Sequence, residues 1–327
     1  MATYKEIYGS TIEVVTSDPE NPVTGQIWYN STDNVVKGAA ATTAGAWATG
    51  NDMNTGRAAV GSAGTYDTAL GFGGYAPSSF RSLTESYNGT NWTEVADLNT
   101  ARGFLGGAGT QTAALAFGGN TPPTTGATES WNGSSWTEVA DLNTGRYEVG
   151  GAGTTNTAAL AFGGNPSQTV TESWNGSAWT EVSDLNSGRQ SLVGNGPNTN
   201  LVAFGGATPG PGTQVTLTES WNGSSWTEVN DLNTARRDAA NCIGTDSTSA
   251  LCAGGATPAY IANVEEWDGT SWTETTDLSR SSGRANQGAT GTTAAALVFG
   301  GVGPAYAATT EEWTGAGSPL TVTFTDS

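Results

Sequence analysis

The chain has 327 residues, of which 47 are glycine, 12 tryptophan and none histidine, and its formal net charge is −19. The charge argues against nucleic acid and acidic membrane surfaces as partners. The missing histidine removes the commonest general base and metal ligand, and no apolar run is long enough to span a bilayer.

Residues 1–46 stand apart from the rest. The opening, Met1 to Tyr8, has no basic stretch followed by an apolar one, so signal-peptide export is not expected. The stretch from Asn21 to Lys37 predicts two short strands about a polar turn. Ala39 to Ala46, rich in Ala, Thr and Gly, reads as a linker.

From Trp47 onward one phrase recurs. Its fullest copy, T-E-S-W-N-G-S-S-W-T-E-V-A-D-L-N-T-G-R, runs from Thr128 to Arg146. Other copies end at Arg57, Arg102, Arg189, Arg236 and Arg284, so successive arginines are 45, 44, 43, 47 and 48 residues apart. That period marks one supersecondary unit stacked many times. Asn132-Gly133 is a hairpin signal, because both turn residues must tolerate positive φ. Each unit predicts four strands: a after Arg, b ending in Gly-Gly (as at Gly118-Gly119), c on T-E-S-W and d on W-T-E-V. Four short strands per repeat predict an all-β propeller.

Trp47 to Arg57 aligns without a gap on Trp92 to Arg102, so it is a strand d with no strand c before it. The last unit ends at Gly315 without a strand d. The expectation is a six-bladed ring over 47–317, closed when the orphan strand Trp47–Met53 joins the last blade. The repeat tryptophans Trp47, Trp92, Trp136, Trp179, Trp226 and Trp272 are expected as blade-to-blade core. The small residues of strand a, such as Gly106 to Gly109, are expected to crowd the axis. The repeat arginine needs a buried partner. The Asp of D-L-N (Asp97, Asp141, Asp184, Asp231) or a backbone carbonyl is favoured over the Glu of T-E-S-W. Cys242 and Cys252, in blade five, lie on facing strands as a disulfide or as two buried thiols. Residues 318–327 alternate Leu320, Val322 and Phe324 with threonines, a strand that pairs on the closing blade or with a neighbouring subunit.

Gly118-Gly119, Trp131 and Trp136, with their equivalents through 47–315, resemble the kelch motif; Tyr87 takes the strand c aromatic place in the first blade, and Cys252-Ala253 departs from the pattern in the fifth. The resemblance implies a kelch-like propeller and leaves function open. Gly25-Gln-Ile-Trp-Tyr-Asn-Ser-Thr32 resembles the opening segment of kelch-like virion proteins of marine tailed bacteriophages, though it reads equally as a capping hairpin. That resemblance implies a virion protein, assembled in the host cytoplasm, whose residues 1–46 bind other virion proteins and join a homo-oligomer.

Catalysis finds little footing. Copper chemistry on a kelch ring needs histidine, so no metal or cofactor site is expected. A sialidase-like hydrolase survives as an idea, but S-W-N-G-S-S-W matches its Asp-box poorly. The expectation is a non-enzymatic tail-fibre or appendage subunit binding a host-surface glycan; a purely structural decoration or neck protein is the alternative, and the hydrolase the third. The loops between strands b and c vary as binding loops do. Those of blades five, six and one hold Tyr260, Tyr306, Tyr75 and Phe80, and the arginines left over from the repeat, Arg81, Arg237 and Arg280, fall nearby. These seven residues are the expected ligand site, the rings stacking on sugar and the arginines pairing its acidic groups. The opposite face, with its uniform Asn-Gly turns, is expected to point to the virion.

Overall fold

The computed structural model describes residues 12–17, 26–39, 45–166, 168–208, 212–240, 243–280, 283–315 and 321–324. Every element among them is a β-strand or turn, with no helix. The chain divides into two compact units, Met1–Ala46 with Gly315–Ser327, and Trp47–Thr314.

In the smaller unit, Ile27–Asn30 and Val35–Ala39 pair antiparallel about the turn 31–34, as their polar turn predicts. Asn30 Oδ1 holds that turn by accepting from the Thr32 and Asp33 amides at 3.0 and 3.1 Å. Two further strands join them, one unexpected and one expected on the closing blade or a neighbouring subunit. Glu13–Val15 pairs parallel with the first. Thr321–Phe324 pairs antiparallel with the second, so the C-terminal strand belongs to this sheet and not to the last sheet of the repeat. The pairing runs from Val36–Phe324 to Ala39–Thr321. The linker expected from Ala39 to Ala46 shrinks accordingly, since both of its ends lie in strands.

The larger unit holds six four-stranded sheets, built in the order a, b, c, d. Sheet two is typical: Gly106–Thr110, Ala113–Phe117, Thr128–Trp131 and Trp136–Val139. The inner strands of sheets one to six begin at Gly61, Gly106, Gly150, Val193, Gly244 and Gly288. Sheet six takes its fourth strand from Ala46–Gly50, beside Thr310–Thr314. Each inner strand lies against the next, and the sixth against the first. The sheets thus form a closed cycle about an axis, which suggests a propeller.

The repeat phrase explains the sheet. Asn132 Oδ1 accepts from the Ser134 and Ser135 amides, both at 2.9 Å, across Gly133 at φ 94°. Sheet five has Asp268 in that place, and its carboxylate makes the same two bonds at 2.8 Å. Small residues in strand a follow from the crowding at the axis: a Cβ on Gly107 would sit 2.4 Å from the carbonyl of Ser62 in the neighbouring strand.

The core lies between sheets. Leu70 and Phe72 of sheet one pack on Trp131 and Trp136 of sheet two, and five equivalent clusters continue round the cycle. Phe72, Phe117, Phe162, Phe204 and Phe299 each meet the strand d Trp of the next sheet at 4.7–5.3 Å. The indole N–H of that Trp donates to the first Thr of strand c in the preceding sheet, as from Trp136 to Thr84 at 3.1 Å. The interface between sheets five and six breaks both rules, because Ala253 stands for the Phe and Val264 for the Thr. Trp47 is therefore half-buried, unlike the other repeat tryptophans; its indole donates to the Thr276 carbonyl at 3.0 Å and its ring packs on Trp313 at 5.1 Å.

In five repeats the arginine pairs with the Glu of T-E-S-W, not with the Asp of D-L-N, while Arg284 donates to the Gly300 carbonyl at 3.1 Å. Arg102–Glu129, Arg146–Glu172, Arg189–Glu219 and Arg236–Glu265 close at 3.2, 3.1, 2.8 and 2.6 Å, and Arg57 binds Glu85 likewise. The Glu points inward across the sheet to the junction where the chain enters from the preceding sheet. Its second oxygen takes the amide and side chain of that junction's Asn, as Asn143 to Glu172 at 2.7 and 2.8 Å. Backbone carbonyls complete the guanidinium shell, for example Gly205 and Leu217 around Arg189. The Asp caps strand c instead: Asp141 Oδ1 accepts from Thr128 N at 3.1 Å. Cys252 is a free, buried thiol whose pKa burial pushes up to about 12; Cys242 lies outside the described residues.

Candidate functional site

Two residues after each repeat arginine the chain reaches the axis. Ala59, Phe104, Glu148, Ser191, Asp238 and Asn286 all hold left-handed φ, between 54° and 57°. Non-glycine residues adopt this region only when the surroundings enforce it. Here the cause is a closed belt of backbone hydrogen bonds. Each amide donates to the equivalent carbonyl of the preceding sheet: Phe104 to Ala59, Glu148 to Phe104, Ser191 to Glu148, Asp238 to Ser191, Asn286 to Asp238 and Ala59 to Asn286, at 2.8–3.1 Å. The latch anchors the arginine, and the belt turns the next residue but one toward the axis.

The belt side chains floor a small cavity of about 40 Å³. One half is apolar, with Ala59 and Phe104, and Phe104 meets Tyr147 edge-on at 6.4 Å. The other half is polar. The Ser191 hydroxyl donates to Glu148 Oε2 at 2.9 Å. Burial raises both carboxyl pKa values, that of Asp238 to about 6, with the charge of Glu148 adding to the rise. Arg237 Nε lies 3.4 Å from Asp238 Oδ2 and opposes the shift. No residue of this floor figured in the expected site. The signal was present all the same: at this place the six repeats carry six different residue types.

The expected aromatic residues come together in part. Phe80, Tyr260 and Tyr306 hold one repeat position, four residues before strand c, where sheets two and four have Thr124 and Gln214. Tyr75 packs on Phe80 at 5.1 Å within a small hairpin, Tyr75–Ala76 with Ser79–Phe80, and on Tyr306 of the preceding sheet at 5.8 Å. Burial raises the Tyr306 pKa, and the neighbouring Tyr75 and Tyr260 add to the rise. A second hairpin, Ala256–Thr257 with Ala259–Tyr260, carries Tyr260, which is 42% exposed.

The three arginines differ in their surroundings. Arg237 is not free, since it pairs with Asp238. Arg280 is exposed, and its charge helps to lower the pKa of Arg284, after burial. Arg81 follows Phe80 and is half-buried, with its Nε unpartnered. The arrangement offers rings at the rim, carboxylates and a hydroxyl at the floor, and one arginine already neutralised by its neighbour.

No protein-family model matches the chain, and no curated protein matches it. Among solved structures it is similar to one titled "Structure of YjhT", with a TM-score of 0.66 at 14% identity. The likeness covers 84% of this chain and 99% of that one, and at this identity it speaks for the fold alone.

Proposed function

We propose that the six sheets are the blades of a kelch-like β-propeller, and that the chain is a phage virion protein, a tail-fibre or appendage subunit that binds a host-surface glycan without turning it over. The observation that carries the binding reading is the set Tyr260, Tyr306, Tyr75 and Phe80, three of them at one repeat position on adjacent sheets. Aromatic rings near polar groups that accept hydroxyl protons suit a saccharide, whose apolar face stacks while its hydroxyls donate. The virion assignment is supported by the residues from Gly25 to Thr32 and their resemblance to the opening of phage kelch-like proteins. In this reading the smaller unit attaches the chain to other virion proteins and to further copies of itself.

The raised pKa values of Glu148 and Asp238 favour one second reading, a glycan hydrolase, because an acid-base pair needs a carboxyl that holds its proton. Incubation on an array of host-derived polysaccharides decides between them. Retention without released reducing sugar supports the binding protein, and release supports the hydrolase. Absence of the chain from purified particles would overturn the virion assignment.

A further inference from the structure

Sheet five departs from the repeat at three neighbouring places. In sheets one to five the Asp after strand d caps strand c with one oxygen; in sheet five Asp277 Oδ1 accepts from Val264 N at 3.3 Å. In sheets one, three and four the other oxygen is also occupied, by the hydroxyls of Ser82, Thr169 and Thr216 at 3.3, 3.0 and 3.1 Å. Sheet five has Ala262 at that position, so Asp277 Oδ2 lacks this donor.

The residue before strand c is apolar in sheets one to four (Leu83, Ala127, Val170, Leu217) but is Asn263 in sheet five. Its amide donates to Glu274 Oε1 at 2.8 Å, which leaves the amide oxygen as an acceptor. The exposed Tyr260 lines the same groove as both. An open groove of about 440 Å³ has Tyr260, Ala262, Asn263, Asp277 and Ser279 in its lining.

No other sheet combines these features. Sheets two and six also lack the hydroxyl, with Gly126 and Ala308. Sheet two carries Thr124 where the ring would be, and in sheet six Tyr306 is packed on Tyr75.

We propose that this groove binds the pyranose ring of a neutral sugar. The oxygens of Asp277 and Asn263 can only accept, so the ligand must bring donors, and adjacent sugar hydroxyls supply them in charge-assisted bonds. Tyr260 offers a face for the C–H side of the ring. Asp277 and Glu274 repel an anionic sugar, on a chain whose net charge is already −19. The inference rests on the glycan-binding reading above and gives it a sugar class and a place.

The test is saturation-transfer NMR on the full chain. The probes are methyl β-D-glucopyranoside, methyl β-D-galactopyranoside and methyl α-D-mannopyranoside, each against N-acetylneuraminic acid. Tyr260→Ala removes the platform. Ala262→Thr restores the hydroxyl that Thr169 and Thr216 supply, so it occupies Asp277 by a change the fold already accommodates elsewhere. Tyr66→Ala, which removes an exposed ring outside both the groove and the aromatic set, is the control. At least one neutral glycoside should bind, and both groove variants should weaken it about tenfold, as for loss of one hydrogen bond to a charged group. N-acetylneuraminic acid should not bind in the groove. Retention of neutral-sugar binding in either groove variant overturns the proposal, as does stronger binding of N-acetylneuraminic acid that is lost with Tyr260. If the array detects glycan while these probes all fail, this inference falls and the broader reading stands; an array with no bound glycan removes both.

Discussion

Glu172→Gln is the sharpest perturbation of the ring. Glu172 and Arg146 are wholly buried, 3.1 Å apart, and the same carboxylate holds the Asn143 amide and side chain at 2.7 and 2.8 Å. Gln keeps one carbonyl oxygen for Asn143 but leaves the guanidinium without a counter-charge. Breaking a buried pair from one side costs about 3–5 kcal/mol, because the remaining ion stays desolvated. At roughly 2–4 °C per kcal/mol for a domain of this size class, the melting temperature should fall by about 6–20 °C. Arg146→Met with Glu172→Gln removes both charges and keeps the acceptor for Asn143. The double variant should therefore cost only about 1–2 kcal/mol, about 2–3 kcal/mol less than Glu172→Gln alone. Thermal unfolding of the two single variants and the double, followed by near-UV circular dichroism at pH 7, measures this cycle. A double variant that loses the sum of the singles would falsify the latch as a coupled pair.

Two further outcomes follow from the departures at the sheet five–six interface and at the belt. Trp136→Ala should cost about 3–5 kcal/mol, and Trp47→Ala roughly half as much, because Trp47 faces Ala253 and Val264 in place of Phe and Thr; equal losses in parallel melts would refute that account. Asp238 titrates near pH 6 in the folded chain against an ordinary 3.8, so the folded state holds the proton more tightly than the unfolded state does. Its charge therefore lowers stability progressively as pH rises from about 4 to 6, and the penalty is constant above that range. Asp238→Asn should raise the melting temperature at pH 7 and lose that advantage at pH 4; a gain of the same size at both values would mean that titration of Asp238 is not its source.

The sequence by itself determined the repeat and the strands within it. Asn-Gly, Gly-Gly and the paired tryptophans act through local backbone preference and burial, and both recur in register wherever the phrase does. The orphan strand at Trp47 was legible for the same reason, since an unpartnered copy of strand d has one unpaired edge to fill. The aromatic sector could also be listed from the b–c loops, although one arginine placed with it, Arg237, pairs with Asp238.

The tertiary structure alone decided which charge meets which. Strand spacing separates Arg146 from Glu172 by more than half a repeat, and the Asp of D-L-N is nearer in sequence; only the fold brings the Glu across its sheet to the incoming junction. It also decided the axial floor. Glu148, Ser191 and Asp238 are 43 to 47 residues apart in the chain and become neighbours because a backbone belt closes the cycle of sheets. Periodicity places a residue in its repeat, but contacts across sheets depend on the closure of the whole ring.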